Sequence, residues 1–170
     1  LNLLASVLSS SSLVCDPSVA DEAYLRCMRG FRFGENWPDL GVTMAGLKRM
    51  HNLKQLLLQA QSNNVGGSFV EAGVWRGGMS IFAAAVVEAY GLGRKVFLCD
   101  SFEGLPKPRR GSLREDEKYY VSPVASAMFR EGQQEVMENF RMFGVSLDNV
   151  SFIPGLFLFS LPKLRDQLIQ

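Results

Sequence analysis

No part of this chain constrains its fold more than the stretch from Ser68 to Asp100. Ser68-Phe69-Val70-Glu71-Ala72 reads as a short buried strand, with β-branched and aromatic residues in a row. Gly73-Val74-Trp75-Arg76-Gly77-Gly78 reads as a glycine-rich turn. Met79 to Tyr90 is Ala-rich and favours helix, Gly91 and Gly93 close it, and Lys95-Val96-Phe97-Leu98-Cys99 forms a second strand ending in Asp100. A helix between two strands joins parallel neighbours, because a tight hairpin reverses the chain and a crossover does not. The segment is a βαβ unit, and it commits the chain to an α/β fold.

The remaining elements fit around that unit. Helices are expected at Leu1 to Leu8 and at Thr43 to Gln61. In the second, Met44, Leu47, Met50 or His51, Leu53, Leu57 and Leu58 recur at helical spacing and mark a core-facing stripe. Asn63-Asn64-Val65-Gly66-Gly67 stops it. Downstream, Glu131 to Phe143 predicts a helix with Val136, Met137, Phe140 and Phe143 on one side, followed by a third strand at Asn149 to Ile153. The organisation expected is an N-terminal helical segment, 1–62, and the first half of a Rossmann-like domain, 63–170, with a mainly parallel sheet flanked by helices.

Charge and length remove several functions. In 170 residues, 18 Lys and Arg against 17 Asp and Glu leave a net charge of +1, so the basic field of a nucleic-acid binder is missing. The apolar run from Ile81 to Val87 falls far short of the roughly 20 residues that span a bilayer. Cys15, Cys27 and Cys99 are odd in number and lack C-x-x-C spacing, and a lone His51 cannot complete a zinc site with them. A cytoplasmic setting follows. Leu1 to Cys15 has the apolar character of a signal peptide but no preceding Lys or Arg and no A-x-A site after it.

In open parallel sheets, ligands bind outside the carboxyl ends of the strands, where the glycine turn and Asp100 both fall. Gly73 and Gly77 let the backbone turn sharply and admit a ligand without a Cβ in the way, and an acid closing the next strand can accept ribose hydroxyls. The dinucleotide fingerprint is broken, because Trp75 stands where the second glycine belongs. Glu71 would repel a pyrophosphate and attract an ammonium or a sulfonium. S-adenosylmethionine carries both cations, and a nicotinamide-dependent oxidoreductase is the weaker alternative.

Glu71-Ala72-Gly73-Val74-Trp75-Arg76-Gly77-Gly78 together with Asp100-Ser101-Phe102-Glu103-Gly104-Leu105-Pro106 resembles the paired signatures of the macrocin O-methyltransferase family. Trp37-Pro38, Thr43 to Met50 with Asn52-Leu53, and Asn149 to Phe157 with Leu161-Pro162 are similar to further blocks of that family, in the same order. The resemblance implies a class I methyltransferase fold, S-adenosylmethionine as donor, and a small-molecule acceptor hydroxyl, in known members on a sugar. By motif, Gly73, Val74, Trp75, Arg76 and Gly77 would wrap the methionine part, with Glu71 near its amine. Asp100 would bind the ribose, and Ser101, Phe102, Glu103 and Gly104 would shape the adenosine pocket. Thr43 and Met44 would cover the cofactor from the N-terminal helix. The resemblance also implies Mg2+ in the complete protein, held by carboxylates falling beyond Gln170, and a histidine base, of which Ser101 to Gln170 has none. The sheet is therefore expected to be incomplete at its C-terminal end. A non-catalytic remnant or interaction module is the third reading, and a second copy of the chain is kept as a partner.

Other conspicuous residues have plainer readings. His51 is expected to be a structural histidine on the apolar stripe, and Trp37-Pro38 a loop anchor. Lys107 to Lys118 reads as a solvated loop, with a substrate lid as the alternative, and Tyr119 and Tyr120 would dock it or stack on a ring. Cys99 is expected to be a small buried hydrophobe.

Overall fold

In the computed structural model, the residues described are 1–8, 41–109, 111, 114–122 and 129–165. Helix α1 (Asn2–Leu8) and helix α2 (Leu47–Ser62) precede strand β1 (Phe69–Ala72), helix α3 (Gly78–Ala89) and strand β2 (Val96–Asp100). Helix α4 (Arg114–Val121), helix α5 (Gln133–Met142), strand β3 (Val150–Pro154) and the short helix α6 (Phe157–Ser160) follow, and a 3-10 turn spans Leu161–Leu164. Trp37, Pro38, Cys15 and Cys27 lie outside the described residues.

The three strands pair in parallel in the order β1-β2-β3. Register aligns Glu71 with Leu98, Ala72 with Cys99, and Asp100 with Pro154, which brings the carboxyl ends together at one edge of the sheet. Because side chains alternate across a strand, Phe69, Val96, Leu98, Val150 and Phe152 face one side, and Val70, Phe97, Cys99 and Ile153 face the other. The first side holds the main core, filled by Ile81, Phe82 and Val86 of α3, Met50 and Leu57 of α2, Ala5 and Leu8 of α1, and Val136 and Phe140 of α5. The second is thinner, covered by Leu161 and Leu164. Helix α3 is buried along most of its length, as a helix apolar all round must be.

Two helix ends follow the same physics. After α2 the chain turns left-handed at Asn64 (φ 54°), and the Val65 N–H bonds the Ala60 carbonyl at 2.8 Å. After α3 it does so at Gly91 (φ 59°), and the Leu92 N–H bonds the Val87 carbonyl at 2.9 Å. Both satisfy carbonyls that the helix leaves open.

The fold differs from the sequence expectation in four places. β1 is half-buried rather than buried, with Ala72 exposed, because it is an outer strand among the described residues. Helix α2 starts at Leu47, so Thr43 and Met44 lie in the preceding loop and not on a helix. His51 is exposed; Met50, its neighbour, occupies the core, a helical step of about 100° having separated the two. Within the charged run, Arg114–Val121 forms a helix where a loop was expected, in keeping with the helical preference of Arg, Glu and Lys. Cys99 is buried in the thinner core as expected.

Candidate cofactor site

At the carboxyl ends of β1 and β2 the chain builds a site from two acids and a turn. The Asp100 carboxylate anchors the turn: Oδ2 accepts the Val74 N–H at 2.7 Å, and Oδ1 accepts the Phe102 N–H at 3.1 Å and faces the Ser101 hydroxyl at 3.4 Å. A carboxylate has about four acceptor positions, so this bracing leaves capacity for a ligand hydroxyl. Its main chain is tied as well, since the Gly155 N–H bonds the Asp100 carbonyl at 2.8 Å. The Cys99 thiol beneath is pushed up by burial and by the charge of Asp100.

Glu71 is half-buried on β1, and its Oε2 accepts a hydrogen bond from the fully buried Ser80 hydroxyl of α3. Burial pushes its carboxyl up to about 7 from 4.5, the Ser80 hydrogen bonds oppose the rise, and the negative charge of Asp100 adds to it. A cation arriving beside Glu71 therefore meets an acid that ionises readily in response. Sequence reading missed Ser80; the signal was a polar residue within the apolar first turns of the helix.

The glycines divide by environment. Gly73 is exposed at φ 91°, and a Cβ built there meets nothing within 4 Å, which leaves open space two residues after Glu71. Gly77 is buried at φ 85°, and its Cβ would lie 2.7 Å from Val136 Cγ1. At Gly78 a Cβ would lie 2.5 Å from the Val42 carbonyl oxygen and 2.7 Å from Thr43 Cβ. Close packing against α5 is thus one reason for a glycine at position 77.

Between these glycines, Trp75 adopts φ 49° and the Arg76 guanidinium lies 4.5 Å from its ring centroid. Arg76 Nε donates to Glu131 Oε1 at 2.7 Å, Arg76 Nη1 donates to the Gly41 carbonyl at 3.1 Å, and Asn139 Nδ2 donates to the Arg76 carbonyl at 2.9 Å. Val74 is buried. Thr43 is buried beside Gly78, its hydroxyl accepting the Ala45 N–H at 3.0 Å, and Met44 is half-buried.

Beyond Asp100 the chain forms a tight loop. The Ser101 hydroxyl donates to the Gly104 carbonyl at 2.9 Å, Phe102 (φ 57°) packs on Phe152 with centroids 5.7 Å apart, and Glu103 is exposed. A cleft of about 380 Å³ opens there, where Ser101, Glu103 and Gly104 meet Lys107, Tyr120 and Arg130. Lys107, Tyr120 and Arg130 stood outside the expected cofactor set. Among the described residues, no group of three or more His, Cys, Asp or Glu converges, so no magnesium ligand is assigned to them.

The model of the macrocin-O-methyltransferase (TylF) family matches residues 18–170. The chain belongs to this family. Three relatives agree with it. A Streptomyces olivaceus 8-demethyl-8-(2,3-dimethoxy-alpha-L-rhamnosyl)-tetracenomycin-C 4'-O-methyltransferase is 38% identical over 130 residues, which are 76% of this chain and 49% of that protein. The Streptomyces niveus demethyldecarbamoylnovobiocin O-methyltransferase is 35% identical over the same shares. Mycinamicin III 3''-O-methyltransferase of Micromonospora griseorubida is 35% identical over 76% of this chain and 52% of that one. The chain thus spans about half the length of the curated relatives it matches. Among solved structures, the O-methyltransferase NovP superimposes with a TM-score of 0.81 at 32% identity, covering 96% of this chain and 66% of that chain. The expected α/β, Rossmann-like methyltransferase fold is therefore the observed one, with a three-stranded parallel sheet among the described residues.

Proposed function

We propose that this chain forms the cofactor-binding part of an S-adenosylmethionine-dependent O-methyltransferase that acts in the cytoplasm on a hydroxyl of a sugar-bearing small molecule. One observation carries the reading: Glu71, with its carboxyl raised to about 7, lies at the carboxyl end of β1 two residues before Gly73, where the missing side chain leaves open space and an arriving ammonium or sulfonium would hold it ionised. The residue set proposed for the cofactor is Glu71, Gly73, Val74 and Trp75 for the methionine part, Asp100 for the ribose, and Ser101 to Gly104 for the base. Thr43 and Met44 close the other side from the loop before α2. That no helix among the described residues is long and apolar enough to cross a membrane accords with it. The relatives' printed acceptors, a rhamnosyl tetracenomycin, a novobiocin derivative and mycinamicin III, support the acceptor class.

When bound, S-adenosylmethionine supplies an electrophilic methyl group on a sulfonium. The protein's part is positioning, which by itself can supply much of the rate of such a displacement. Asp100 fixes the turn and the ribose together, and Ser80 orients Glu71. The cleft beside Lys107, Tyr120 and Arg130 lies next to the base end of the site and extends it. Deprotonation of the acceptor hydroxyl is not assigned to any described residue.

Calorimetry tests the reading. S-adenosylhomocysteine should bind the chain more tightly than NADH; NADH as the tighter ligand would return the oxidoreductase reading, and binding of neither would favour the non-catalytic one.

A further inference from the structure

We propose that Arg76 is a positioning residue, a strut that joins the loop at Gly41 to Glu131 across the glycine turn and sets the geometry in which the cofactor is bound. This rests on the preceding reading that the turn receives S-adenosylmethionine, and it gives Arg76 a role other than contact with the ligand.

Four contacts from the described residues meet at this one side chain and its carbonyl, and they come from separate parts of the chain. Its guanidinium spans Glu131 Oε1 at 2.7 Å and the Gly41 carbonyl at 3.1 Å, and its own carbonyl receives Asn139 at 2.9 Å. The same guanidinium lies over the Trp75 ring, 4.5 Å from the centroid. Arginine suits this work because its donors form a rigid planar fork that can reach two acceptors while stacking on an aromatic face. The Arg76 and Glu131 side chains are only 28% and 19% exposed, so solvent screens the pair less than it would a surface pair.

The strut acts where the backbone is under strain. Trp75 is a bulky residue at φ 49°, a conformation that persists only when its surroundings over-determine it. Two neighbours tie the turn to the same flanks: the Gly78 N–H bonds the Val42 carbonyl at 2.9 Å, and Gly77 packs on Val136 of α5. Those contacts hold the packed end of the turn. Arg76 extends the grip toward Trp75, one step closer to the open cradle at Gly73. It also links the loop carrying Thr43 and Met44 to the segment that follows α4, so one side chain bridges two walls of the proposed site.

The experiment uses the full chain with Trp37 replaced by Phe, which leaves Trp75 as its single tryptophan, since the chain has two. Arg76→Lys, Glu131→Ala and Glu131→Gln are compared for S-adenosylhomocysteine affinity, Trp75 emission and thermal unfolding. Arg76→Lys keeps the charge and loses the fork; Glu131→Gln keeps an acceptor oxygen and loses the charge. We expect Arg76→Lys and Glu131→Ala to weaken binding by about ten- to a hundredfold, the scale of one charge-assisted hydrogen bond, and to shift Trp75 emission. Glu131→Gln should recover part of both, the share a neutral acceptor can supply, with unfolding temperatures nearly unchanged. Parental affinity and emission in Arg76→Lys would overturn the inference alone, as would a loss of affinity that merely tracks a loss of thermal stability. Failure of the parental chain to bind S-adenosylhomocysteine would overturn the cofactor reading and this inference with it.

Discussion

The two ends of the glycine turn are built from the same residue type for opposite reasons. At Gly73 the missing side chain leaves open space next to an acid; at Gly77 and Gly78 it lets backbone and helix approach to distances that no Cβ would allow. The first leaves room for the ligand proposed above, and the second is a weld between α3, α5 and the loop at Val42. A motif read as a single binding signature thus carries carpentry at one of its ends. Mutations at its two ends should separate into losses of affinity and losses of fold.

The sharpest separation comes at the welded end. Gly78→Val places a Cβ 2.5 Å from the Val42 carbonyl oxygen, a backbone atom that cannot swing away. We expect destabilisation on the order of 3 kcal/mol or more, read as loss of the cooperative thermal transition in far-UV circular dichroism. Gly77→Ala should cost about 2 kcal/mol, from a left-handed backbone and from contact with Val136. Adding Val136→Ala should not restore full stability, because it relieves the contact and leaves φ 85° in place; complete recovery would mean the conformation is free. At the open end, Gly73→Val should cost only the backbone term, about 1–2 kcal/mol, while S-adenosylhomocysteine binding falls by a larger factor. Equal losses of stability and affinity there would erase the contrast between the two ends.

The most gradual effect concerns Glu71. Its carboxyl is raised in the folded chain to about 7 from 4.5, so the folded state holds the proton more tightly than the unfolded state. That contribution to stability is fully present below about pH 4.5 and is lost as pH rises through about 7. Between those values, stability should fall by at most about 1.4 kcal/mol per pH unit from this group. Glu71→Gln should flatten the slope in melts at stepped pH. Cofactor affinity should run the other way in the parental chain, rising through pH 7 as the carboxylate forms, with a proton released on binding.

Legibility in the sequence followed the range of the interaction. The βαβ unit was visible because apolar strands, a glycine turn and an Ala-rich helix are all local patterns, and Asn64 and Gly91 marked helix ends for the same reason. Gly73, Asp100 and Glu71 could be located because strand ends in a parallel sheet share one edge. What stayed hidden was tertiary. Arg76 meets Glu131 across 55 positions and Asn139 across 63, and no spacing rule links them. The packing of Gly77 on Val136 stayed hidden because nothing in its own neighbourhood announces that contact. His51 was misplaced since a helical stripe is wide enough to accept either of two adjacent residues, and only packing around Met50 chose between them.

The position of β2 also governs how the chain can assemble. Among the described strands it alone has a partner on each side, and because both partners are parallel, neither can arrive by a hairpin. The crossover that leads to β3 is roughly twice as long as the one that leads from β1, yet such a doubling adds only about 0.6 kcal/mol of closure entropy. Timing should therefore turn on what each crossover brings with it. The first delivers α3, buried nearly throughout, directly onto the strands it connects. The second delivers α5, which buries Val136 and Phe140. In pulse-labelled amide exchange, protection of α3, β1 and β2 should precede protection of β3, making the cofactor edge of the sheet the first part of the molecule to take shape.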